Sequence, residues 1–463
     1  MTSALPTVPP EAGPRAGALP DAAEIVQTLP FRWGVQGRIF LIGGLGFMFD
    51  AWDVTLNGVL APLLIKHWSL SVADASWIGL ANLIGMGLGA FLWGGVADRV
   101  GRKKAFALTL GVFGVFTALG ALAPGYGLFL VFRFLAGLGL GGCVPVDYAL
   151  VGEFTPSRVR GRVLTAMDGW WPVGAALCGA SSAWLMSTLA DWRALMALMV
   201  LPVLLIAWVR RSVPESPLFL ARQGREEEAR AVVDALVERT GAPRREYTAL
   251  PSGSAEGTTT PRSPLSLLAR LWTQAPRHTA VAWALFMTVL LAYYICLMWM
   301  PKILVGAGFG EAKAFMTTSG TALTGILGVV AAALLVERVG RRVLLAVSAP
   351  LAVGCVILAS LRLTEPGWVI GWLLAYGFLI QVSVPVLYAY ASELYPTELR
   401  ASGFGWASAA SRISAGFGPM LFAGVIWPAL GITAGFWIMG ALIVLALGLM
   451  FAWAPETRGA ELE

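Results

Sequence analysis

Six charged residues stand inside stretches that are otherwise apolar: Asp50, Asp53, Arg133, Asp147, Asp168 and Arg412. A charge at the centre of a membrane helix costs about 2.5 to 3.5 kcal/mol on insertion scales, so it tends to face a partner or a cavity. Asp50 and Asp53 are three apart and share a helix face. An aspartate whose arginine contact changes between two states can take up and release a proton, because burial disfavours its charge and a nearby guanidinium favours it. Asp50, Asp53 and Arg133 are the candidates for that coupling, with a static Arg133–Asp pair as the structural alternative. Arg412 sits alone in the second half of the chain. Its planar fork suits a carboxylate bidentately, although pairing to Glu393 or to backbone carbonyls would also account for it. Asp147 and Asp168, with Asp50, could instead offer counter-charge to a cation. Trp170, Trp171, Tyr293, Tyr294 and Tyr388 could stack on a flat ring, and Gln381 could hydrogen-bond a ring nitrogen or hydroxyl. With 19 tryptophans in the chain, most must face lipid or the interface.

Other chemistries lack their residues. The four cysteines, Cys143, Cys178, Cys296 and Cys355, all fall in apolar segments, and the two histidines, His67 and His278, sit at segment edges. Neither a disulfide framework nor a zinc or catalytic metal site is expected, and no cofactor is called for. No nucleophile and base pair supports an enzyme. Gly137 to Gly142 lies within an apolar helix, where close helix packing explains it better than nucleotide binding.

The elements that must position these charges follow from composition. Of 463 residues, 57% are hydrophobic and 13% charged, with mean hydropathy +0.73. Soluble chains carry about 25% charge. Apolar stretches of about 20 residues recur from Ile39 to Trp453, which is helix length and twice that of a barrel strand. Twelve helices are predicted at 37–64, 76–97, 105–123, 126–150, 163–189, 192–211, 279–303, 314–336, 342–362, 367–391, 402–426 and 431–453. Residues 1–36, rich in Pro, Ala and Gly, read as a disordered tail with no cleaved signal peptide. Residues 212–278 form a polar central loop, with a short amphipathic helix within 215–239 and a flexible part at 241–264. Residues 455–463 are a second tail.

With alternating helices, 26 of the 33 lysines and arginines fall on the side of both tails and the central loop. Five fall opposite, and Arg133 and Arg412 lie within spans. The positive-inside rule then makes the tails and central loop cytoplasmic, and the expected location is the cell inner (plasma) membrane. The net charge of +6 is topological, so no nucleic-acid partner is expected.

Landmarks repeat. Ala97-Asp98-Arg99-Val100-Gly101-Arg102 after the second helix returns as Val336-Glu337-Arg338-Val339-Gly340-Arg341 after the eighth. Glu153, Pro156 and Arg160 return as Glu393, Pro396 and Arg400. Pro214-Glu215-Ser216 returns as Pro455-Glu456-Thr457. The offsets are 239, 240 and 241 residues, so the chain is two homologous six-helix halves, at 37–211 and 279–454. The expected fold is an all-α membrane protein of twelve transmembrane helices in two pseudo-symmetric bundles, the architecture of a transporter with a central site.

Gly94 to Lys104 resembles the loop signature of the major facilitator superfamily. Its return in the second half, with Pro214-Glu215-Ser216-Pro217, resembles the sugar-porter and organic-ion branches. Phe49-Asp50-Ala51-Trp52-Asp53-Val54, the run Arg133 to Gly142, and Ser411-Arg412-Ile413 are similar to bacterial niacin transporters. Aromatic acid:proton symporters and vertebrate organic-ion transporters share parts of that pattern. The resemblance implies cytoplasmic gating networks of Asp98, Arg99 and Arg102 with Glu153 and Arg160, mirrored by Glu337, Arg338, Arg341, Glu393 and Arg400. It implies that Asp53 pairs with Arg133 in proton coupling, and that a basic Arg412 favours an organic anion. Niacin transporters usually carry an acidic residue where this chain has Cys143, and Asp147 has no obvious counterpart there. The expectation is a secondary transporter of a nicotinate- or benzoate-like carboxylate moved with protons by alternating access, for which a monomer in the lipid bilayer suffices. The alternative is an organic-cation carrier or exporter.

Overall fold

The structure, a computed structural model, describes residues 19–248, 264–395 and 397–457. A short helix, α1 (Ala22–Thr28), precedes the first long one, α2 (Arg38–Trp68). The first half continues with α3 (Val72–Val100), α4 (Arg102–Gly120), α5 (Tyr126–Phe154), α6 (Ser157–Asp168), α7 (Trp170–Thr188), α8 (Trp192–Ala197) and α9 (Leu201–Ser212). Three polar-loop helices follow, α10 (Pro217–Arg222), α11 (Glu226–Thr240) and α12 (Pro264–Gln274). The second half holds α13 (Pro276–Gly306), α14 (Glu311–Val339), α15 (Arg341–Leu361), α16 (Pro366–Glu393), α17 (Thr397–Leu421), α18 (Trp427–Leu430) and α19 (Ile432–Trp453).

Among the described residues eleven helices are long and apolar enough to cross a membrane. The twelfth expected crossing is α6 and α7 together, joined at Gly169. Pro172 has no N–H for the carbonyl four residues back, at Asp168, so the hydrogen-bond ladder is interrupted beside that aspartate. The loops between α3 and α4 and between α14 and α15 turn in the same way. Gly101 and Gly340 hold φ of 98° and 99°, a region open to glycine and strained for other residues. The internal repeat is thus a repeat of backbone geometry.

Close packing within each half uses small residues, as the Gly137 to Gly142 run predicts. A Cβ at Gly137 would sit 2.0 Å from the Asn82 carbonyl oxygen, and one at Gly141 2.1 Å from that of Met86, so α5 meets α3 backbone to backbone. In the second half a Cβ at Gly377 of α16 would sit 2.1 Å from the Thr321 carbonyl oxygen of α14.

The tail differs from expectation. Residues 22–28 form a helix that starts with a capping box between Asp21 and Glu24. Its Ala22, Ile25 and Val26, with Leu29 beyond its end, recur at helical spacing and are buried, and the helix packs against α5, α10 and α11. That period was overlooked behind the prolines and glycines. Residues 1–18 lie outside the described residues, as does the part of the flexible stretch at 249–263. The amphipathic helix expected within 215–239 is α10 and α11, separated at Gly224, whose φ is 73°. α12 was not expected.

The two halves touch at the end remote from the tails. There α14 packs on α7, α2 on α13 and α3 on α17. A Cβ at Gly58 would come within 2.4 Å of the Leu297 carbonyl, and one at Gly179 within 2.7 Å of that of Phe315. Ser319 donates to the Ala176 carbonyl across the same seam at 2.8 Å.

Candidate functional site

Within the first half, Asp53 of α2 and Arg133 of α5 form a bidentate pair. One guanidinium nitrogen reaches Oδ1 at 3.0 Å and another reaches Oδ2 at 2.7 Å, and both side chains are fully buried. Three uncharged residues complete the arrangement. Thr117 of α4 donates to Asp53 Oδ1 at 2.8 Å, Arg133 donates to Asn57 Oδ1 at 2.8 and 3.1 Å, and Asn82 of α3 donates to Asp53 Oδ2 and to the Arg133 carbonyl. Buried charges demand this much satisfaction. Asn57, Asn82 and Thr117 were missed from sequence, although Asn57 stands one turn from Asp53 on the same face.

Asp50, one turn before, contrasts with this. It is also fully buried, yet neither carboxylate oxygen has a hydrogen-bond partner among the described residues. Asp147 of α5 is in the same condition. Asp168 is held by the Tyr148 hydroxyl at 2.5 Å, and Tyr148 is a further residue that sequence reasoning passed over.

Arg412 of α17 faces the space between the halves. Asp50, Tyr294 and Tyr388 all lie within its electrostatic range. It is partly exposed and makes no hydrogen bond or ion pair among the described residues. Glu393, its alternative partner, is taken by Arg341 at 2.9 Å and by the Thr457 hydroxyl at 2.5 Å. Tyr388 stacks on Phe286 with centroids 5.4 Å apart and planes at 19°, and Phe404 closes on both edgewise. Tyr294 packs edge-on to Tyr293. Trp171 donates its indole N–H to the Tyr293 hydroxyl at 2.6 Å, a hydrogen bond from one half to the other.

Trp170 lies over Gly44, where a Cβ would meet its ring at 2.2 Å, so it packs α7 on α2. Gln381 lines a cavity with Ala175, Tyr293, Thr321 and Tyr376, between α7 of the first half and α13, α14 and α16 of the second.

At the tail end the charges pair within each half. Arg102 binds Glu153 at 3.2 Å. Arg341 binds Glu337 at 2.8 Å as well as Glu393. Arg160 donates to the Thr155 carbonyl, while Arg99 and Arg338 are exposed. The side chains of Asp98 and Arg400 lie outside those described. Two residues seen in the sequence only as repeat markers have a clear place. Glu215 accepts the backbone N–H of Lys103, and Glu456 those of Arg341 and Arg342, so each closes the N-terminus of the third helix of its half.

The sequence profile described as Major Facilitator Superfamily matches residues 43–419 and again 316–462. The niacin transporter NiaP of Acinetobacter baylyi is 30% identical over 91% of this chain and 94% of its own length. The gallate transporter of Pseudomonas putida is 30% identical over 90% of this chain and 92% of its own. Among solved structures, the partially occluded inward-open xylose transporter XylE from E. coli superposes with a TM-score of 0.72 at 20% identity, covering 92% of this chain and 99% of that one. Two repeated six-helix halves around a charged centre, matched over nine-tenths of their length, make this chain an integral membrane transporter of the major facilitator superfamily.

Proposed function

We propose that the protein moves a small aromatic monocarboxylate of the nicotinate or benzoate type together with protons. The reading rests on one observation above others: a guanidinium, Arg412, that makes no hydrogen bond or ion pair among the described residues and lies within electrostatic range of Tyr294 and Tyr388. A planar carboxylate satisfies the fork and its ring takes the stacking surface. The relatives named above for niacin and gallate support the same class. In this reading Trp171 and Tyr293 flank the ring.

Transport follows from alternating access. Seams between the halves lie at the end away from the tails, so this is the state open toward the tails, which the positive-inside rule makes cytoplasmic. Closure at the tail end would bring the gating charges of the first half, Arg99, Arg102, Glu153 and Arg160, toward Glu337, Arg338, Arg341 and Glu393 of the second, and the resemblance adds Asp98 and Arg400 to that gate. A protomer is sufficient for this cycle.

The test is thermal stabilisation of the purified protein by nicotinate, benzoate, nicotinamide and choline, with Arg412→Ala as comparison. A carboxylate at 100 times its dissociation constant stabilises the fold by about 2.7 kcal/mol. Stabilisation by both acids, absent with nicotinamide and lost in Arg412→Ala, is expected. Asp50 and Asp147 without hydrogen-bond partners favour a second reading, an organic-cation carrier or exporter in which they or Asp168 supply counter-charge. Stabilisation by choline, unchanged in Arg412→Ala, would establish that reading in place of the first.

A further inference from the structure

The two aspartates without partners belong together. Gly46 and Asp50 are one turn apart on the same face of α2. A Cβ at Gly46 would lie 2.9 Å from Oδ2 of Asp147, so the Asp147 carboxylate fills the space that a side chain at 46 would occupy, one turn from Asp50. The ring of Phe106 closes the same spot at 2.7 Å, and Asp147 lies within electrostatic range of Asp50. Both carboxylates are fully buried and all four of their oxygens are without hydrogen-bond partners. By contrast Asp53, three residues along, is satisfied on both oxygens by Arg133, Thr117 and Asn82.

Two neighbouring carboxylates in an apolar pocket repel if both are charged, and neither has a donor to offset its lost hydration. The described residues hold no group of three or more His, Cys, Asp or Glu side chains, so no third such ligand joins the two carboxylates. A proton needs only the two carboxylates. We propose that Asp50 and Asp147 form a proton-binding pair separate from the Asp53–Arg133 pair, and that this pair carries the coupling proton while Asp53 and Arg133 remain a fixed structural lock.

The titratable and charged groups around the pair are few. Asp53, itself paired with Arg133, comes from α2, Cys143 and Tyr148 from α5, Asp168 from α6 through Tyr148, Tyr294 from α13 and Arg412 from α17. Of these only Arg412 is a cation without a partner. It therefore links the two sites: a substrate carboxylate on Arg412 cancels the guanidinium's attraction for an ionised Asp50, and Asp50 takes up a proton in response. Charge balances, since one anion and one proton enter together. This linkage rests on the anion reading above, whereas the protonated pair does not.

The experiment is infrared difference spectroscopy of the full chain in lipid with 13C-aspartate, run with a pH-indicator assay of proton uptake on adding nicotinate. At neutral pH a labelled carbonyl band of a protonated carboxyl is expected in the wild type. It is shifted or weakened in both Asp50→Asn and Asp147→Asn, because each removes one carboxyl of the pair, and Asp147→Glu, which keeps the acid, retains a protonated-carboxyl band. No labelled band in the wild type, or a band indifferent to both asparagine variants, overturns the pair, and the wild-type spectrum decides even if a variant fails to fold. Nicotinate is expected to draw a proton into the wild type and none into Asp50→Asn. A band without nicotinate-linked uptake upholds the pair and removes the anion linkage instead.

Discussion

A guanidinium locked bidentately and a guanidinium facing open space respond to substitution in opposite ways. Arg133 has its donors on Asp53 and Asn57, with neither it nor Asp53 exposed. Removing one partner of such a pair leaves a buried uncompensated charge and costs about 3–5 kcal/mol. Arg133→Ala is therefore expected to lower the melting temperature of the purified protein sharply, and the double change with Asp53→Asn to recover part of that loss. A double variant no better than Arg133→Ala would show that the pair is not the unit. Arg412 has no such partner, so Arg412→Ala should leave melting close to wild type in the absence of substrate while uptake of nicotinate falls at least tenfold. Arg412→Lys keeps the charge and loses the fork, and should restore only part of the uptake. If Arg412→Lys transports like the wild type, bidentate recognition is wrong.

These charges were legible in sequence because a charge in an apolar stretch stands out against its surroundings. Asn57, Asn82, Thr117 and Tyr148 were not, since a single amide or hydroxyl barely changes the hydropathy of a helix and its partner lies on another helix. The same limit applies to Arg412 and Tyr388: type and depth could be read, but only the packing of α16 and α17 shows which side chains share a space. Trp170, two residues after Asp168 and next to Trp171, illustrates the opposite error. Adjacent helix positions point about a quarter-turn or more apart, so Trp171 reaches Tyr293 whereas Trp170 covers Gly44.

At the scale of elements, the repeat read from sequence is also a repeat of helix closure. Glu215 and Glu456 each follow the last helix of their half and reach back to the third, accepting backbone N–H groups that have no partner within the helix. Each contact fastens the sixth helix of a half to the N-terminus of the third, beside Gly101 and Gly340, whose positive φ suits glycine and strains other residues. Glu456→Ala should cost about 1 kcal/mol or more by analogy with lost helix caps, read as a lower melting temperature. Glu456→Gln, which keeps an acceptor without the charge, should cost less. Equal effects would make the charge, and not the acceptor geometry, the source of the stabilisation. The tail helix α1 was hidden for a different reason: seven residues with three buried apolar side chains give too short a period to see among prolines, and its order comes from α5, α10 and α11 beneath it.

For the whole molecule, the question is how two rigid halves exchange one seam for another. The present seam depends on glycine at Gly58 and Gly179, where α2 and α7 meet the backbones of α13 and α14. Backbone carbonyls cannot yield to a side chain as a flexible terminus can, so Gly58→Leu or Gly179→Leu must push the halves apart at that end. If the halves rock as bodies about the central space, separation there drives approach at the tails. Spin labels at Arg99 and Arg338, exposed at the tail ends of α3 and α14, should move closer in these variants. Labels at Lys66 and Glu365, exposed at the opposite end, should move apart. Both changes together are what rocking requires. A wider far end with no change between Arg99 and Arg338 would mean that the halves bend instead, and would leave the central site exposed to both sides at once.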